Sequence, residues 1–268
     1  MEIHLPTQLL SPFIRHFMIM ESREEMTNRI FPDTSLVMSF RYKGQVNFLL
    51  KDTKTALSSF TLTGLRKSNR VINYTKDTAN ILVVFREAAA HAFIKEPLHE
   101  LFEDSVPLDN FTGYQHLSAI GEQLAAAHNH TQRINIIEAF LLERLYNHRP
   151  DALITAALKK IRAANGIIRI KDLAGALYIS QDAFEKRFRR MVGISPKQFA
   201  YIVKMRAVVN NVLNLVPAAS SARDAAEKIS LAGIAFDAGY FDQPHFNKDF
   251  KLFTGQTPTE FMKNPMIM

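Results

Sequence analysis

Residues 180–199 read SQDAFEKRFRRMVGISPKQF, and residues 242–261 read DQPHFNKDFKLFTGQTPTEF. A shift of about 62 positions aligns the two stretches and superimposes their aromatic, glycine and proline positions. The aligned pairs are Phe184 with Phe246, Phe188 with Phe250, Met191 with Phe253, Gly193 with Gly255, Pro196 with Pro258 and Phe199 with Phe261. The chain therefore contains an internal repeat, and this repeat decides the fold of its C-terminal part.

Each copy of the repeat carries the signals of a helix, a stop and a second, freshly capped helix. Ser180 and Asp242 are residue types whose side-chain oxygens accept hydrogen bonds from first-turn amides. Apolar residues at i, i+4 and i+7 form one stripe, after which Gly193 and Gly255 suit a left-handed helix end. Each copy then has a capping box with proline at the first helical position. The two boxes are Ser195-x-x-Gln198 and Thr257-x-x-Glu260.

A short helix is predicted before each copy, over residues 170–177 and 231–238. Gly239 supplies a permissive backbone at the second turn, whereas the first turn, residues 177–179, has no glycine. A helix, a short turn and a second helix with a polar, basic outer face is the pattern of a helix-turn-helix. A repeated αα-hairpin in an all-helical scaffold is the alternative that this pattern alone leaves open.

Residues from about 155 to 264 resemble the DNA-binding domain of AraC/XylS-type transcription regulators, in which a long helix joins two helix-turn-helix motifs. In the first motif the matching residues are Leu173-Ala174, Ser180, Phe184, Lys186, Phe188, Gly193, Ser195-Pro196, Phe199 and Arg206. In the second they are Ile234-Ala235, Gly239-Tyr240, Asp242-Gln243, Phe246, Lys248, Phe250, Gly255, Thr257-Pro258 and Phe261. The resemblance implies motifs at about 170–192 and 231–254 and double-stranded promoter DNA as the partner.

Charge is divided unevenly along the chain. Residues 151–268 contain 17 Lys+Arg against 10 Asp+Glu, whereas residues 1–150 contain 16 of each. The whole net charge of +7 therefore lies on the part with the repeat. A basic surface that coincides with a helix-turn-helix pattern is the electrostatic signal of phosphate contacts.

Length and composition limit the remaining choices. At 268 residues we expect two domains, residues 1–150 and 151–268, and 47% hydrophobic content with 20 Phe predicts real cores. The chain has no cysteine, which excludes disulfides, thiolate catalysis and cysteine zinc sites within it. The first residues show no secretion signal, and no apolar stretch suits a membrane span, so a soluble, cytoplasmic protein is expected.

The first half is predicted to be an α+β domain, with a small antiparallel sheet or barrel followed by helices. Short apolar runs between turn signals predict strands at 13–20, 34–42, 46–51, 58–63, 71–75 and 81–85. Helices are predicted at 88–95, 98–102 and 113–127. The segments 29–33, 36–40 and 83–86 resemble an uncharacterised N-terminal domain found on a subset of AraC-type regulators, although Thr34 stands where a glycine is usual. This resemblance implies a sensor or oligomerisation role and names no ligand.

A further helix is predicted over residues 131–148, and residues 147–151 are expected to break it. Its apolar stripe, Ile134, Ile137, Leu141 and Leu145, has nearly the a and d spacing of a coiled coil. A homodimer seam is one interpretation of this stripe, and packing within its own domain is the other.

The N-terminal turn of each recognition helix is expected to read bases, because Gln pairs with adenine, Lys reaches guanine and Asp or Glu accepts from cytosine. The predicted base-reading residues are Gln181, Asp182, Glu185 and Lys186 in the first copy and Gln243, His245, Asn247 and Lys248 in the second. The predicted backbone contacts are Arg189, Arg190, Ser195, Lys197, Lys251 and Thr257. The capped amides after the two hydroxyl residues are natural phosphate sites. A helix over 196–214 would be about 28 Å long, which suits successive major grooves roughly 34 Å apart.

Two features depart from the family pattern and bear on which DNA sequence is bound. Asp182 and Glu185 place negative charge on the first recognition face. The join over residues 215–230 is longer than usual, with Pro217 expected to end the long helix and Ser220 or Ser221 to cap a short extra one.

No metal site and no cofactor are predicted. The pair His128-x-His130 indicates a solvated loop, because no third ligand stands at a telling distance in the sequence. No phosphate-binding glycine loop, nucleophile turn or paired carboxylates in an apolar setting occur, so no enzyme activity is expected. The sequence therefore predicts a transcription regulator whose N-terminal domain binds a small-molecule effector or a protein partner. A weakly specific architectural DNA binder and a small-molecule enzyme with a DNA-tethering domain are the alternatives.

Overall fold

Ten strands of the N-terminal domain form two antiparallel sheets. The computed structural model describes residues 1–51, 53–146, 150–215 and 231–265. The strands are β1 (Glu2–His4), β2 (Ile14–Ser22), β3 (Met26–Ile30), β4 (Val37–Lys43), β5 (Val46–Leu50), β6 (Thr53–Ala56), β7 (Phe60–Thr63), β8 (Arg70–Tyr74), β9 (Thr78–Phe85) and β10 (Ser105–Pro107). One sheet has the order β1-β2-β9-β4-β7-β10, and the other has the order β3-β8-β5-β6.

Helices follow the sheets and make up the described C-terminal domain. Three 3₁₀ helices lie at Ala90–Ala92, Leu98–Leu101 and Leu108–Asn110. The α-helices are α1 (Ser118–Ala126), α2 (His130–Leu142), α3 (Ala152–Ala163), α4 (Ile170–Ala176), α5 (Gln181–Val192), α6 (Pro196–Leu215), α7 (Leu231–Asp237), α8 (Gln243–Thr254) and α9 (Pro258–Lys263). The predicted class, an α+β domain followed by an all-α double helix-turn-helix domain, is confirmed.

The six predicted strands are present as β2, β4, β5, β7, β8 and β9, and four further strands were not predicted. β1 and β10 are only three residues long, and every residue of β6 is exposed, so none of them carries a clear alternation of apolar residues. β3, with the sequence MTNRI, is half-buried along most of its length. These strands form because a neighbouring strand pairs with them, and a local pattern does not report that.

Several predicted helices are shorter in the structure or absent. The helices predicted at 88–95 and 98–102 are present only as short 3₁₀ helices, at Ala90–Ala92 and Leu98–Leu101. Ala88 adopts a positive φ, and Pro97 stands between the two helices. The helix predicted from residue 113 starts at Ser118, because Gly113 and His116 adopt φ values of 86° and 60°. The helix predicted over 131–148 ends at Leu142. Residues 147–149 of the predicted break at 147–151 and residues 216–230 of the predicted join at 215–230 lie outside the described residues.

The apolar stripe of α2 packs within its own domain. Ile134, Ile137 and Leu141 are 6%, 0% and 0% exposed, and Leu145, which lies beyond the end of the helix, packs against the same core. The dimer-seam interpretation of this stripe is therefore wrong, because its side chains are covered by the chain itself. A homodimer stays a prediction, but it would need another surface.

The repeat builds the same aromatic core twice. In the first copy Phe188 lies 5.6 Å from Phe184 and 5.7 Å from Phe199, measured between ring centroids. In the second copy Phe250 lies 5.8 Å from Phe246 and 5.5 Å from Phe261. All six rings are fully buried. The aligned positions of the sequence therefore occupy equivalent places in two helix-turn-helix units, with α4 packed on α5 and α7 packed on α8.

Candidate nucleic-acid interface

The N-terminal turn of α5 is capped and exposed. The hydroxyl of Ser180 accepts a hydrogen bond from the amide of Ala183 at 3.4 Å. The predicted readers Gln181, Asp182 and Lys186 are exposed, and Glu185 is half-buried. Because the phenylalanine stripe fixes the opposite face in the core, these four side chains lie on the solvent side of the helix.

Two neighbours moderate the negative charge of Glu185. Gln181 Nε2 donates to Glu185 Oε1 at 3.0 Å, and Arg189 Nη2 lies 3.9 Å from Glu185 Oε2. Opposite charges four residues apart on a helix attract each other. Arg189 therefore offsets part of the repulsion that Glu185 would exert on a DNA phosphate.

The N-terminal turn of α8 is also capped and exposed. Asp242 Oδ1 accepts a hydrogen bond from the amide of His245 at 2.8 Å, and proline occupies the first turn. Gln243, His245 and Lys248 are exposed. The second copy therefore presents three of its four predicted readers to solvent.

His245 is oriented by two residues behind it. Its Nε2 lies 3.8 Å from Asp249 Oδ2, and the hydroxyl of Tyr240 donates to the same oxygen at 2.8 Å. The Tyr240 and His245 rings are 5.3 Å apart in an edge arrangement. Burial and the hydrogen bond to Asp249 raise the pKa of Tyr240, so this hydroxyl stays protonated and keeps donating.

Two predicted site residues are less accessible than the sequence indicates. Asn247 is half-buried, and its Oδ1 is shielded from solvent without a hydrogen-bond partner. Ser195 is only 7% exposed. Its amide donates to Gln198 Oε1 at 2.9 Å, and its hydroxyl accepts from the Gln198 amide at 3.2 Å. At this turn the exposed side chain is that of Lys197.

The capping boxes use some of the amides that were predicted to hold phosphates. Thr257 and Glu260 exchange the same two bonds, at 2.7 and 3.3 Å. Proline supplies no N–H at the next position, so the amides of Lys197 and Thr259 are those left in the two first turns. Any phosphate at these turns would therefore meet one amide and, at α6, a lysine side chain.

Four cations predicted for the phosphate backbone lie on exposed positions. Arg189, Arg190 and Lys197 belong to the first copy, and Lys251 belongs to the second. Arg187, by contrast, is held by Asp151 at 2.7 and 3.0 Å, which ties α5 to the N-cap of α3. The structure thus separates cations that face solvent from one that joins helices.

Residues 29–34, which we call the interdomain motif, contact the C-terminal domain. Arg206 Nη1 on α6 donates to the carbonyl of Pro32 at 3.1 Å and lies 3.7 Å from Asp33 Oδ1. Arg162 on α3 donates to Thr34 Oγ1 at 2.8 Å and pairs with Glu87. A segment that carries the resemblance of the N-terminal domain therefore contacts the helices of the DNA-binding domain.

The interdomain motif also supplies an aromatic contact and a half-buried charge. The ring of Phe31 lies 6.1 Å from Phe261 of the second copy. Burial raises the pKa of Asp33, but Arg206, Arg15 and the bonds from Thr34 outweigh it, so the pKa of Asp33 is lowered overall. Asp33 is thus held as a carboxylate between cations of both domains.

The N-terminal domain touches both recognition helices at their C-terminal glycines. Gly193 ends α5 with φ 91°, and a Cβ there would lie 3.1 Å from the carbonyl oxygen of Leu98. Gly255 ends α8 with φ 83°, and a Cβ there would overlap the Arg29 guanidinium. Asn69 donates to the carbonyl of Leu252 through its amide and its side chain, at 3.2 and 3.0 Å. The sequence did not predict these contacts, since they join residues far apart in the chain.

A cationic cavity of about 730 Å³ lies where the 3₁₀ segments meet α5. Its charged and imidazole side chains are His91, Lys95, Glu96, His99, Lys186, Arg189 and Arg190. Positive groups thus come from both domains, and Ile94, Pro97 and Met191 add an apolar wall.

Two fully exposed aromatic rings flank the recognition helices. Tyr178 precedes α5 and is 99% exposed, and Phe241 precedes α8 and is 101% exposed. Helical periodicity could not identify them, because both lie in turns.

His130 does not lie in a solvated loop. It is the first residue of α2, and its ring nitrogens lie 2.8 Å from Glu2 Oε2 and 3.2 Å from Glu21 Oε1. His128 is exposed, as the sequence predicts. The sequence did not predict the contacts of His130 with Glu2 and Glu21, because these residues are separated from it by 128 and 109 positions in the chain.

Comparisons with known proteins agree with this arrangement. Residues 173–264 match the family described as a helix-turn-helix domain, and residues 2–107 match a domain of unknown function, DUF6597. The Msm operon regulatory protein of Streptococcus mutans is 28% identical over 150 residues, which are 55% of this chain and 50% of that protein. The chain thus spans about half the length of this curated relative.

Two solved structures show a distant likeness. ToxT from Vibrio cholerae has a TM-score of 0.44 and 12% identity, covering 92% of this chain and 97% of that one. The C-terminal domain of AraT, a response regulator from Geobacillus stearothermophilus, has a TM-score of 0.37 and 19% identity, covering 45% and 92%.

The paired helix-turn-helix units, each with an exposed lysine on its recognition helix, define a DNA-binding protein. The chain carries an AraC-type helix-turn-helix domain over residues 173–264 and a DUF6597 domain over residues 2–107. These matches point to a regulator and not to an enzyme. Within the described residues, no helix is both long and apolar enough to cross a membrane.

Proposed function

We propose that this protein is a one-component regulator that reads a promoter site with α5 and α8 in successive major grooves. One observation carries the proposal. The N-terminal domain touches both recognition helices at their C-terminal glycines, whereas their N-terminal turns are capped and exposed. The 20 residues of α6 span about 30 Å, close to the roughly 34 Å between successive grooves.

In this proposal the predicted base-reading residues differ in how readily they reach a base. Gln181, Lys186, Gln243, His245 and Lys248 are fully placed to reach base edges, since each is exposed on a first turn or just after it. Asp182 and Glu185 accept from cytosine. Asn247 needs a rotation of its amide out of the helix packing before it reads a base.

The N-terminal domain then controls how far apart, and at what angle, the two helices are presented. The interdomain motif bonds to α3 and α6, and the 3₁₀ helix Leu98–Leu101 packs against α5. Any ligand or partner that moves these contacts changes the fit to two grooves at once. The domain boundary near residue 150 is part of the same proposal.

The cationic cavity is the place where we expect an effector to act, and its lining selects a small anion with an apolar part. Such a ligand would neutralise Lys186 and Arg190, which are needed for DNA, and would therefore lower DNA affinity. Lys95 offers a clean test because it lies on the N-terminal domain, away from the first turn of α5. Anionic ligands that raise the melting temperature of the wild type should not do so in Lys95→Ala. Equal increases in melting temperature in the wild type and Lys95→Ala would contradict the assignment of the effector to this cavity.

Selection of the intact protein on a random duplex library tests the main proposal. We expect a motif of two blocks about one helical turn apart, bound about 10³-fold or more above scrambled DNA at physiological salt. One enriched block would mean that a single unit reads DNA. No enrichment would contradict sequence-specific reading and favour an architectural binder.

A further inference from the structure

Four titratable side chains from three distant parts of the chain meet at one edge of the six-stranded sheet. They are Glu2 and His4 on β1, Glu21 on β2 and His130 at the start of α2. Side chains two residues apart on a strand point to the same face. The register places Glu2 opposite Ile19 and His4 opposite Phe17, so Glu21 continues the same face of β2. Since His130 contacts both carboxylates, the first turn of α2 closes over this edge.

Three of these residues bring possible metal ligands to one point. The Glu2 carboxylate places Oε2 at 2.8 Å from His130 Nδ1 and Oε1 at 2.8 Å from His4 Nε2. The ligand atoms of Glu2, His4 and His130 all lie within 4.8 Å of one another. His4 Nε2 is shielded from solvent, with Glu2 Oε1 at 2.8 Å. The His4 ring is thus turned toward the Glu2 carboxylate.

The contact of His130 with Glu21 matches a feature of metal-bound histidines. Metal-ligating histidines almost always donate their second ring N–H to a carboxylate or carbonyl, which fixes the tautomer and the ring plane. His130 Nε2 lies 3.2 Å from Glu21 Oε1, on the side of the ring away from Glu2 Oε2. Glu21 is held in turn by the hydroxyl of Tyr42, which donates to the same oxygen at 3.2 Å.

We infer that Glu2, His4 and His130 bind a divalent first-row transition-metal ion, with Zn²⁺ as the best fit. Two imidazole nitrogens and one carboxylate oxygen form a set that suits Zn²⁺, whereas Ca²⁺ and Mg²⁺ prefer oxygen ligands alone. Ligand atoms around a tetrahedral Zn²⁺ lie about 3.3 Å apart. The two pairs now at 2.8 Å need to separate by about half an ångström, and the ligand atoms that lie farthest apart, within 4.8 Å, need to approach. The Glu2 side chain is 53% exposed, so solvent reaches the site and can supply a fourth ligand.

The ion would join the N-terminal edge strand to α2. β1 pairs with β2 on one side only, and an edge strand is held by half the usual bonds. The amide of Thr7 already donates to Glu138 Oε1 on α2 at 2.7 Å, so this segment runs along the helix. A second link at Glu2 and His4 would stabilise the same junction. This site is separate from the DNA-binding residues, and its test requires no DNA.

Titration of the full-length, tag-free protein with Zn²⁺ by calorimetry is the first test. We expect one ion per chain and a melting temperature several degrees higher with the ion bound. Glu21→Gln should weaken binding about 10–100-fold, because it removes only the outer carboxylate. His4→Ala and His130→Ala should weaken it more. His128→Ala is the matched control, since this exposed histidine is two residues from His130. The Zn²⁺ affinity of this variant should equal that of the wild type.

Co²⁺ gives a readout that does not depend on heat. The wild type and His128→Ala should show the visible bands of a nitrogen-ligated Co²⁺ site, and His130→Ala should lose them while keeping its circular-dichroism spectrum. Fewer than about half an ion per chain, or the same affinity in His128→Ala and His130→Ala, would overturn the inference. In that event His130 serves as an ion-pair partner of Glu2 and Glu21 only.

Discussion

The two helix-turn-helix units have aromatic cores of the same arrangement, and they differ on the faces that they present to DNA. The shift of about 62 residues aligns Lys186 with Lys248 and Arg189 with Lys251, so each face keeps two cations. At three further positions on these faces the first unit carries a charge where the second has none. These pairs are Asp182 with Pro244, Glu185 with Asn247 and Arg190 with Leu252.

This difference indicates that the two units contribute differently to DNA affinity and to sequence specificity. The first unit carries more charge of both signs, and phosphate attraction is a charge effect that does not depend on sequence. The second unit offers Gln243, His245 and Lys248 as donors and acceptors with no acid among its exposed readers. We therefore expect α5 to contribute more to salt-dependent affinity and α8 to contribute more to the choice of sequence.

The shared core gives the largest expected effects. Phe188→Ala and Phe250→Ala each remove a fully buried ring that packs against two others. Each should lower the free energy of unfolding by about 3–5 kcal/mol, measured by urea unfolding. Phe241→Ala is the control, because its ring is fully exposed, and it should stay within about 0.5 kcal/mol of the wild type. A loss below about 0.5 kcal/mol in either core variant would show that the two aromatic cores do not stabilise their units equally.

The reading faces give the next largest effects. Lys248→Ala should cost about 1–3 kcal/mol of affinity for the selected site and much less for scrambled DNA, measured by fluorescence anisotropy. His245→Ala should behave in the same way. Lys186→Ala should show a smaller gap between the two DNAs. A larger gap for Lys186 than for Lys248 would reverse the proposed division.

The aligned pair Arg190 and Leu252 tests the electrostatic half of that division. Arg190→Ala should weaken binding to all sequences and reduce the slope of log affinity against log salt by about one. Leu252→Ala, at the equivalent position, carries no charge and should leave the slope unchanged. Equal slopes in the wild type and Arg190→Ala would count against a phosphate contact.

The contact between domains should be worth less than the cores. Asp33→Asn keeps the shape of the side chain but removes the charge that faces Arg206 and Arg15. These side chains are about one-third exposed, so solvent screening limits the loss to about 1 kcal/mol. Asp77→Asn is the control, since Asp77 and Lys43 form a more exposed pair at 3.8 Å. A loss no greater than that of the control would mean that Asp33 does not hold the domains together.

The pH dependence of that loss follows from the lowered pKa of Asp33. A carboxylate whose pKa is lower in the folded state stabilises the protein above its unfolded pKa, near 3.9. The stabilisation is lost as pH falls through the folded pKa. The difference between the wild type and Asp33→Asn should thus stay constant from about pH 5 to 8 and shrink below about pH 4. A difference that changes between pH 6 and 8 would point to another titrating group.

The sequence predicts what is local and repeated, and it misses what depends on distant residues. The caps at Ser180 and Asp242, the capping boxes and the glycine helix ends follow from single residues and short spacings, and all are present. The strand β6 and the contact between Arg29 and Gly255 depend on a partner elsewhere in the chain. The same holds for His130, whose neighbour in space is Glu2 and not His128. A pattern read along the chain carries no information about such partners.

The smallest predicted effects concern the turns of the two units, where the copies differ in one backbone position. Tyr178 adopts φ 55° in the first turn, and Gly239 adopts φ 73° at the equivalent place in the second. A left-handed conformation costs a non-glycine residue about 1–2 kcal/mol, and the exposed Tyr178 ring offsets little of this by packing. Glycine in turn lowers the free energy of unfolding by about 0.4–1 kcal/mol, because it gives the unfolded chain more conformational freedom. Tyr178→Gly should therefore raise the free energy of unfolding by up to about 1 kcal/mol.

Gly239→Ala is the reverse change in the other unit. Its new Cβ would lie 3.6 Å from Ile167 Cγ2, an ordinary contact, so only the backbone conformation opposes it. It should lower the free energy of unfolding by about 1 kcal/mol. Opposite signs for the two variants in thermal unfolding would show that the first unit tolerates a strained turn that the second avoids. A loss of stability in Tyr178→Gly would instead mean that the tyrosine ring stabilises the first turn by more than its strained backbone costs.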